Sequence, residues 1–218
     1  MIEMHFICVK MPILEIRNEY TLRFTYKCNW NCSYCAINNL KEKDLIITHE
    51  NILNCIKQIP DNSNVTISGG EPGLLEKNKI QLYLDLLKQK NCILFLETNG
   101  LFLIKYPEFE NYFEKILYHC SSELELPKIN LNNLDKSKYN FLLIIHNNNI
   151  KFLKSFLDNF PAIKFDLIEA TYPYEITGPV LSKQNKNILI TQFSKSITKD
   201  SLKRLLIGKN FDNIKYLN

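Results

Sequence analysis

Short apolar, β-rich runs alternate along this chain with stretches of helical period, and that alternation confines the fold to repeated βα units around a largely parallel sheet. The β-rich runs fall at 20–26, 65–68, 92–97, 115–120, 141–146, 163–168 and 188–193, with 12–17 as an extra strand leading into the first. Runs such as CILFLE and FLLIIH are continuously apolar, as expected of strands covered on both faces. Between them Ile52, Cys55, Ile56 and Ile59 are spaced i, i+3, i+4, i+7 behind Thr48 as N-cap, which predicts one buried helical stripe. Ile80, Tyr83, Leu84 and Leu87 repeat the spacing, as do Leu153, Phe156, Leu157 and Phe160; Leu202, Leu205 and Leu206 follow a Thr198 cap.

Length turns this pattern into an architecture. At 218 residues the chain falls short of the roughly 250 of a closed eight-stranded barrel. The expectation is an α/β fold, a partial, open β/α barrel of about six to seven largely parallel strands. No linker divides it, so 1–218 reads as a single domain with an N-terminal extension (1–19) and a C-terminal segment (183–218). That last segment carries 8 Lys/Arg against 2 Asp/Glu, while the rest of the chain carries 19 against 21, so the net charge of +4 is a C-terminal property. It reads first as a solvated helix face, and no specific nucleic-acid binding is expected. No apolar run approaches the ~20 residues of a membrane span, and no apolar signal region opens the chain; a cytoplasmic protein is expected. Two long irregular stretches, 121–140 and 169–187, suit lids or substrate-binding segments.

Seven cysteines without an export signal argue for a reducing compartment, where thiols are core residues, nucleophiles or metal ligands. Cys8, Cys55, Cys92 and Cys120 lie in apolar patterns and are assigned to the core. The other three stand in Cys28-Asn29-Trp30-Asn31-Cys32-Ser33-Tyr34-Cys35, a C-x3-C-x2-C spacing just after the first core strand. Thiolates so close can converge on one centre, at the strand end where α/β folds bind ligands. Three are too few for a structural zinc or four-thiolate site. Either His49 or Cys55 supplies a fourth ligand, or the fourth position is open for an exogenous one.

With an aromatic residue, Tyr34, before its last cysteine, the segment resembles the signature of the radical S-adenosylmethionine (SAM) enzymes. Resemblance to that superfamily implies a [4Fe–4S] cluster on Cys28, Cys32 and Cys35, whose unique iron is chelated by SAM. It further implies reductive cleavage of SAM to a 5′-deoxyadenosyl radical, oxidoreductase or lyase chemistry, and an external flavodoxin- or ferredoxin-type electron donor. Ser68-Gly69-Gly70-Glu71-Pro72-Gly73, at the second strand's end, resembles the family's GGE motif, which holds the SAM amino group. Its glycines permit positive φ and close approach to bare backbone, and Glu71 can accept from an ammonium group. Thr98-Asn99-Gly100 closes the third strand as in many members, contributing to the SAM pocket, and Ser121, or its neighbour Ser122, stands where relatives contact the SAM ribose. The family's adenine motif is absent from FLLIIHNNNI, where backbone contacts from residues 144–147 could substitute.

In size the chain is similar to glycyl-radical-enzyme activases and to 7-carboxy-7-deazaguanine synthases. The latter often continue the last cysteine with Asp-Thr, and here Ala36-Ile37 stands instead. The substrate is open between a small molecule, such as a nucleotide-like one, and a protein or peptide. The competing class is a non-catalytic metal or electron-transfer module built on the same cysteines. Of the four histidines, His119 and His146 lie near strand ends and could face the pocket as proton donors; structural roles are the first expectation for all four. Trp30 either shields the cysteine centre or packs the barrel mouth.

Overall fold

The computed structural model describes residues 18–32, 35, 46–121, 134–135, 137–145, 153, 156–158, 163, 165–169, 184, 188, 192 and 194–199. Six strands, β1 (Glu19–Thr25), β2 (Asn64–Gly69), β3 (Ile93–Thr98), β4 (Phe113–Ser121), β5 (Tyr139–Ile145) and β6 (Asp166–Glu169), form one sheet in sequence order. Every pairing is parallel, and β1 and β6 sit at opposite edges, so the sheet is open. Sequential order with every strand parallel is the signature of right-handed βα crossovers, and it brings all six carboxyl ends to one rim.

Two amphipathic helices cover one face. In α1 (His49–Gln58) the Thr48 side chain accepts from the Asn51 backbone N–H while the Asn51 side chain caps Thr48 in return. In α2 (Lys77–Gln89) Ile80, Tyr83, Leu84 and Leu87 are all buried, as their spacing predicts. Each such side chain contributes about 1.5–3 kcal/mol when fully buried. They meet the alternate strand residues Leu22, Phe24, Val65, Ile67, Leu94 and Leu96, with Phe24 edge-on to Tyr83 at 5.2 Å between ring centroids. A short α3 (Leu101–Lys105) follows β3, turning out of the strand at Gly100, whose φ is +101°.

Two expectations fail here. Ile188 and Gln192, the described residues of 188–193, are helical where a seventh strand was expected; the short apolar run there has no period long enough to separate helix from strand. Cys55 is exposed. The buried arc of α1 is Ile52, Ile56 and Ile59, with Leu53 packed against the core on one flank and Cys55 on the other. Because α1 sits over the edge strand β1, beside α2, its covered arc is narrower than the full i, i+3, i+4, i+7 set. Cys92 and Cys120 are buried as expected. Leu153, Phe156 and Leu157 are buried too. The strand at 12–17, Cys8, Phe160 and the Leu202, Leu205, Leu206 stripe lie outside the described residues.

Candidate functional site

Beyond Thr25 the chain leaves β1 into the cysteine loop, and the next strand's exit is laced onto it. Gly70 N–H donates to Thr25 O at 2.7 Å and Glu71 N–H to Lys27 O at 2.8 Å. Only glycine fits there. A Cβ on Gly69, where φ is +135°, would stand 2.3 Å from Thr25 O, and one on Gly70 2.1 Å from Lys27 O. The bare backbone therefore serves first to let β2 grip the base of the loop.

Glu71 is fully buried, and its carboxylate is the knot of the site. Oε1 accepts from Gly73 N–H (2.9 Å), Thr98 Oγ1 (2.9 Å) and Phe102 N–H (3.2 Å); Oε2 accepts from Asn99 N–H (2.9 Å) and lies equally close to Thr98 Oγ1. Burial pushes its pKa up against these donors, which pull it down. Asn99 extends the network: its Nδ2 donates to Asn29 Oδ1 at 2.9 Å and contacts Cys28 Sγ at 3.8 Å. A single chain of hydrogen bonds thus joins the ends of β1, β2 and β3.

Cys28, Cys32 and Cys35, each half-buried, line one cavity of about 240 Å³. Gly69, Gly70, Thr98 and Asn99 share its wall, with Trp30 and Ile144 as apolar lining. Trp30 N–H donates to Cys28 Sγ at 3.3 Å, and Cys35 N–H to Cys32 O at 3.1 Å. Burial raises the Cys28 pKa most, and Glu71, Cys32 and Cys35 add repulsion, against the lowering by Trp30 N–H. A thiol raised in this way needs a cationic centre to hold it as a thiolate ligand. Among the described residues no three His, Cys, Asp or Glu side chains converge as a site for a single metal ion. Three soft thiol donors lining one cavity are the ligand type that iron–sulfur centres take.

The two candidate fourth ligands are elsewhere. His49 Nδ1 is hydrogen-bonded to Tyr83 Oη at 2.6 Å, and it and the exposed Cys55 line grooves other than the cysteine cavity. Of the remaining predicted residues, Ser121 ends β4 as expected, and Tyr34, Ser122 and His146 lie outside the described residues. Sequence reasoning missed Ser68 and Glu97, which line the cavity, although each directly precedes a singled-out strand-end motif.

The family model described as the Radical SAM superfamily matches residues 22–151. The chain belongs to the radical SAM superfamily. It is an enzyme of that class, and the superfamily's cofactors are a [4Fe–4S] cluster and SAM. A Methanocaldococcus jannaschii protein, described by inference as a glycyl-radical enzyme activating enzyme, is 28% identical over 190 residues, which cover 80% of this chain and 72% of that one. Among solved structures, a histidine-tagged form of anSMEcpe with bound AdoMet matches with a TM-score of 0.55 at 18% identity, over 80% of this chain. Native anSMEcpe with bound AdoMet gives 0.56 at 18% identity over 79%, and its complex with AdoMet and the Cp18Cys peptide 0.52 at 17% over 79%. The chain spans 58% of the length of these solved chains, which share its fold. Among the described residues no helix is long and apolar enough to cross a membrane.

Proposed function

We propose that this chain is a single-domain activating-type radical SAM enzyme that takes a hydrogen atom from a polypeptide partner, using electrons from a flavodoxin- or ferredoxin-type donor. The observation that carries the chemistry is the gathering of Cys28, Cys32 and Cys35 onto one cavity walled by Gly69, Gly70, Thr98 and Asn99. Cys28, Cys32 and Cys35 would hold the [4Fe–4S] cluster, leaving one iron open. The chemistry such a cluster would supply is reductive cleavage of SAM, with methionine and a hydrogen-abstracting 5′-deoxyadenosyl radical as the products.

The protein's part is to bind and orient. Backbone groups at Gly69 and Gly70 offer SAM its amino-group contact, while the buried Glu71 carboxylate, already taken by four donors of its own chain, fixes that backbone. Asn99 ties the SAM side of the cavity to the loop that carries the cluster. Tyr34 and Ser121 complete the SAM site at the loop and at the end of β4. For the polypeptide substrate the support is the 28%-identical activating-enzyme relative, and an open sheet leaves a side through which a protein loop can enter.

Anaerobic reconstitution followed by iron and sulfide analysis, then addition of SAM and reductant, tests the reading. Wild type is expected to form 5′-deoxyadenosine, and Cys28→Ala, Cys32→Ala or Cys35→Ala each to abolish it. An intact, reduced cluster with neither SAM binding nor cleavage refutes the enzyme.

A further inference from the structure

Asn99, at the exit of β3, is buried and held from three sides. Its backbone N–H donates to Glu71 Oε2 at 2.9 Å, and its side-chain Oδ1 accepts from Leu101 N–H at 3.2 Å, at the start of α3. With the amide oxygen turned to α3, the amide nitrogen faces the cysteine loop. Nδ2 carries two hydrogens. One is donated to Asn29 Oδ1 at 2.9 Å, and Cys28 Sγ stands 3.8 Å from the same nitrogen, within reach of the other. Because Cys28 and Asn29 are neighbours in sequence, one amide group spans both.

The two bonds do different work. The one to Asn29 is short and directional and orients the amide; the one to sulfur is long and depends on where the amide is aimed. Asn29 is exposed and stands outside the lining of the cysteine cavity, so its effect on the thiol passes through Asn99. Hydrogen bonds to the sulfurs are among the factors that set the reduction potential of an iron–sulfur centre. An N–H aimed at a thiolate offsets part of its negative charge, which favours taking up one more electron. Trp30 N–H, at 3.3 Å from Cys28 Sγ, supplies a further donor to the same sulfur.

Resting on the cluster assignment proposed above, we infer that Asn29 is a positioning residue for the reduction potential: its side-chain oxygen orients the Asn99 amide so that an Nδ2 hydrogen points at Cys28 Sγ. The redox poise of the centre is then set in part from the end of β3, by two asparagines 70 positions apart. Since Asn99 also lines the wall proposed to face SAM, the same amide links that wall to the sulfur.

Redox titration of the reconstituted protein, monitored by electron paramagnetic resonance without SAM, tests this. Asn99→Ala is expected to move the midpoint to a more negative potential. At the wild-type midpoint its ratio of reduced to oxidised cluster should fall roughly tenfold, which for one electron is ~59 mV. Asn29→Ala should shift the midpoint the same way and by no more than that. The double variant should match Asn99→Ala alone, because Asn29 acts through the amide. Each titration is scaled to its own cluster signal, so lower iron loading does not imitate a shift. If Asn29→Ala takes up no cluster, Asn29→Asp, which keeps an acceptor oxygen for the amide, decides the matter: wild-type iron content supports the pairing, and failure to load overturns it. An Asn29→Ala midpoint at or above the wild-type value, or a shift that adds in full to that of Asn99→Ala, overturns the inference and leaves the cluster and SAM cleavage standing. A Cys28→Ala protein that keeps its full iron content and cleaves SAM removes the reading beneath it instead.

Discussion

At the scale of single residues, the site depends on the absence of side chains as much as on their presence. Gly70 was legible in the sequence as part of a glycine pair at a strand end, but the reason for it was not. The expected reason was room for a ligand, whereas the direct one is the approach of Lys27 O to within 2.1 Å of where a Cβ would stand. Gly70→Ala must push the exit of β1 away from β2 and break the Glu71 N–H bond to Lys27 O. Overpacking of this kind costs about 1–3 kcal/mol. The larger expected effect is displacement of the loop bearing Cys28, so the variant should reconstitute with much less iron than wild type while its urea midpoint falls only modestly. Iron content equal to wild type would show that the loop is held some other way. Glu71 was legible as an acid near the cofactor; its burial under donors from the β3 exit was not, because those partners lie 27 to 31 positions away in sequence.

Elements were more readable than their edges. Six of the seven core strands and the capped α1 and α2 follow from periodicity because long patterns average over local noise, and the parallel order follows from their alternation with helices. What failed, 188–193 and Cys55, failed where a short run or the flank of a stripe had to be judged without knowing what packs against it. Cys55 yields a measurable consequence. Standing outside the Ile52, Ile56, Ile59 arc, it should react quickly with a thiol reagent in the folded protein, while the buried Cys92 and Cys120 react only after unfolding. Cys55→Ala should change stability by no more than about 0.5 kcal/mol, as exposed substitutions do. It should also leave iron content and SAM cleavage unchanged. Loss of the cluster in Cys55→Ala at unchanged folding would restore Cys55 as a ligand and revive the four-ligand module.

For the whole molecule, the division between scaffold and site lies along the two faces of one sheet. The face made by Val65, Ile67, Leu94, Leu96 and Ile116 is completely buried with the α2 residues Ile80, Leu84 and Leu87, and none of these touches the cysteine cavity. The fold should therefore survive without its metal, unlike small domains in which binding energy is folding energy. Removing the cluster with an oxidant and chelator is expected to leave far-UV circular dichroism essentially unchanged while lowering the thermal midpoint. Because SAM would bind partly to the cluster, its addition should then separate the two forms. At a hundredfold excess over Kd a ligand stabilises its folded target by about 2.7 kcal/mol, which for a chain of this size is a shift of roughly 5–10 °C. The holoenzyme should show that shift and the cluster-free protein little of it. Collapse of the β signal on cluster removal would mean that the cysteine loop is part of the scaffold. Equal shifts in both forms would mean that SAM is held by the Gly69–Gly70 and Asn99 wall alone.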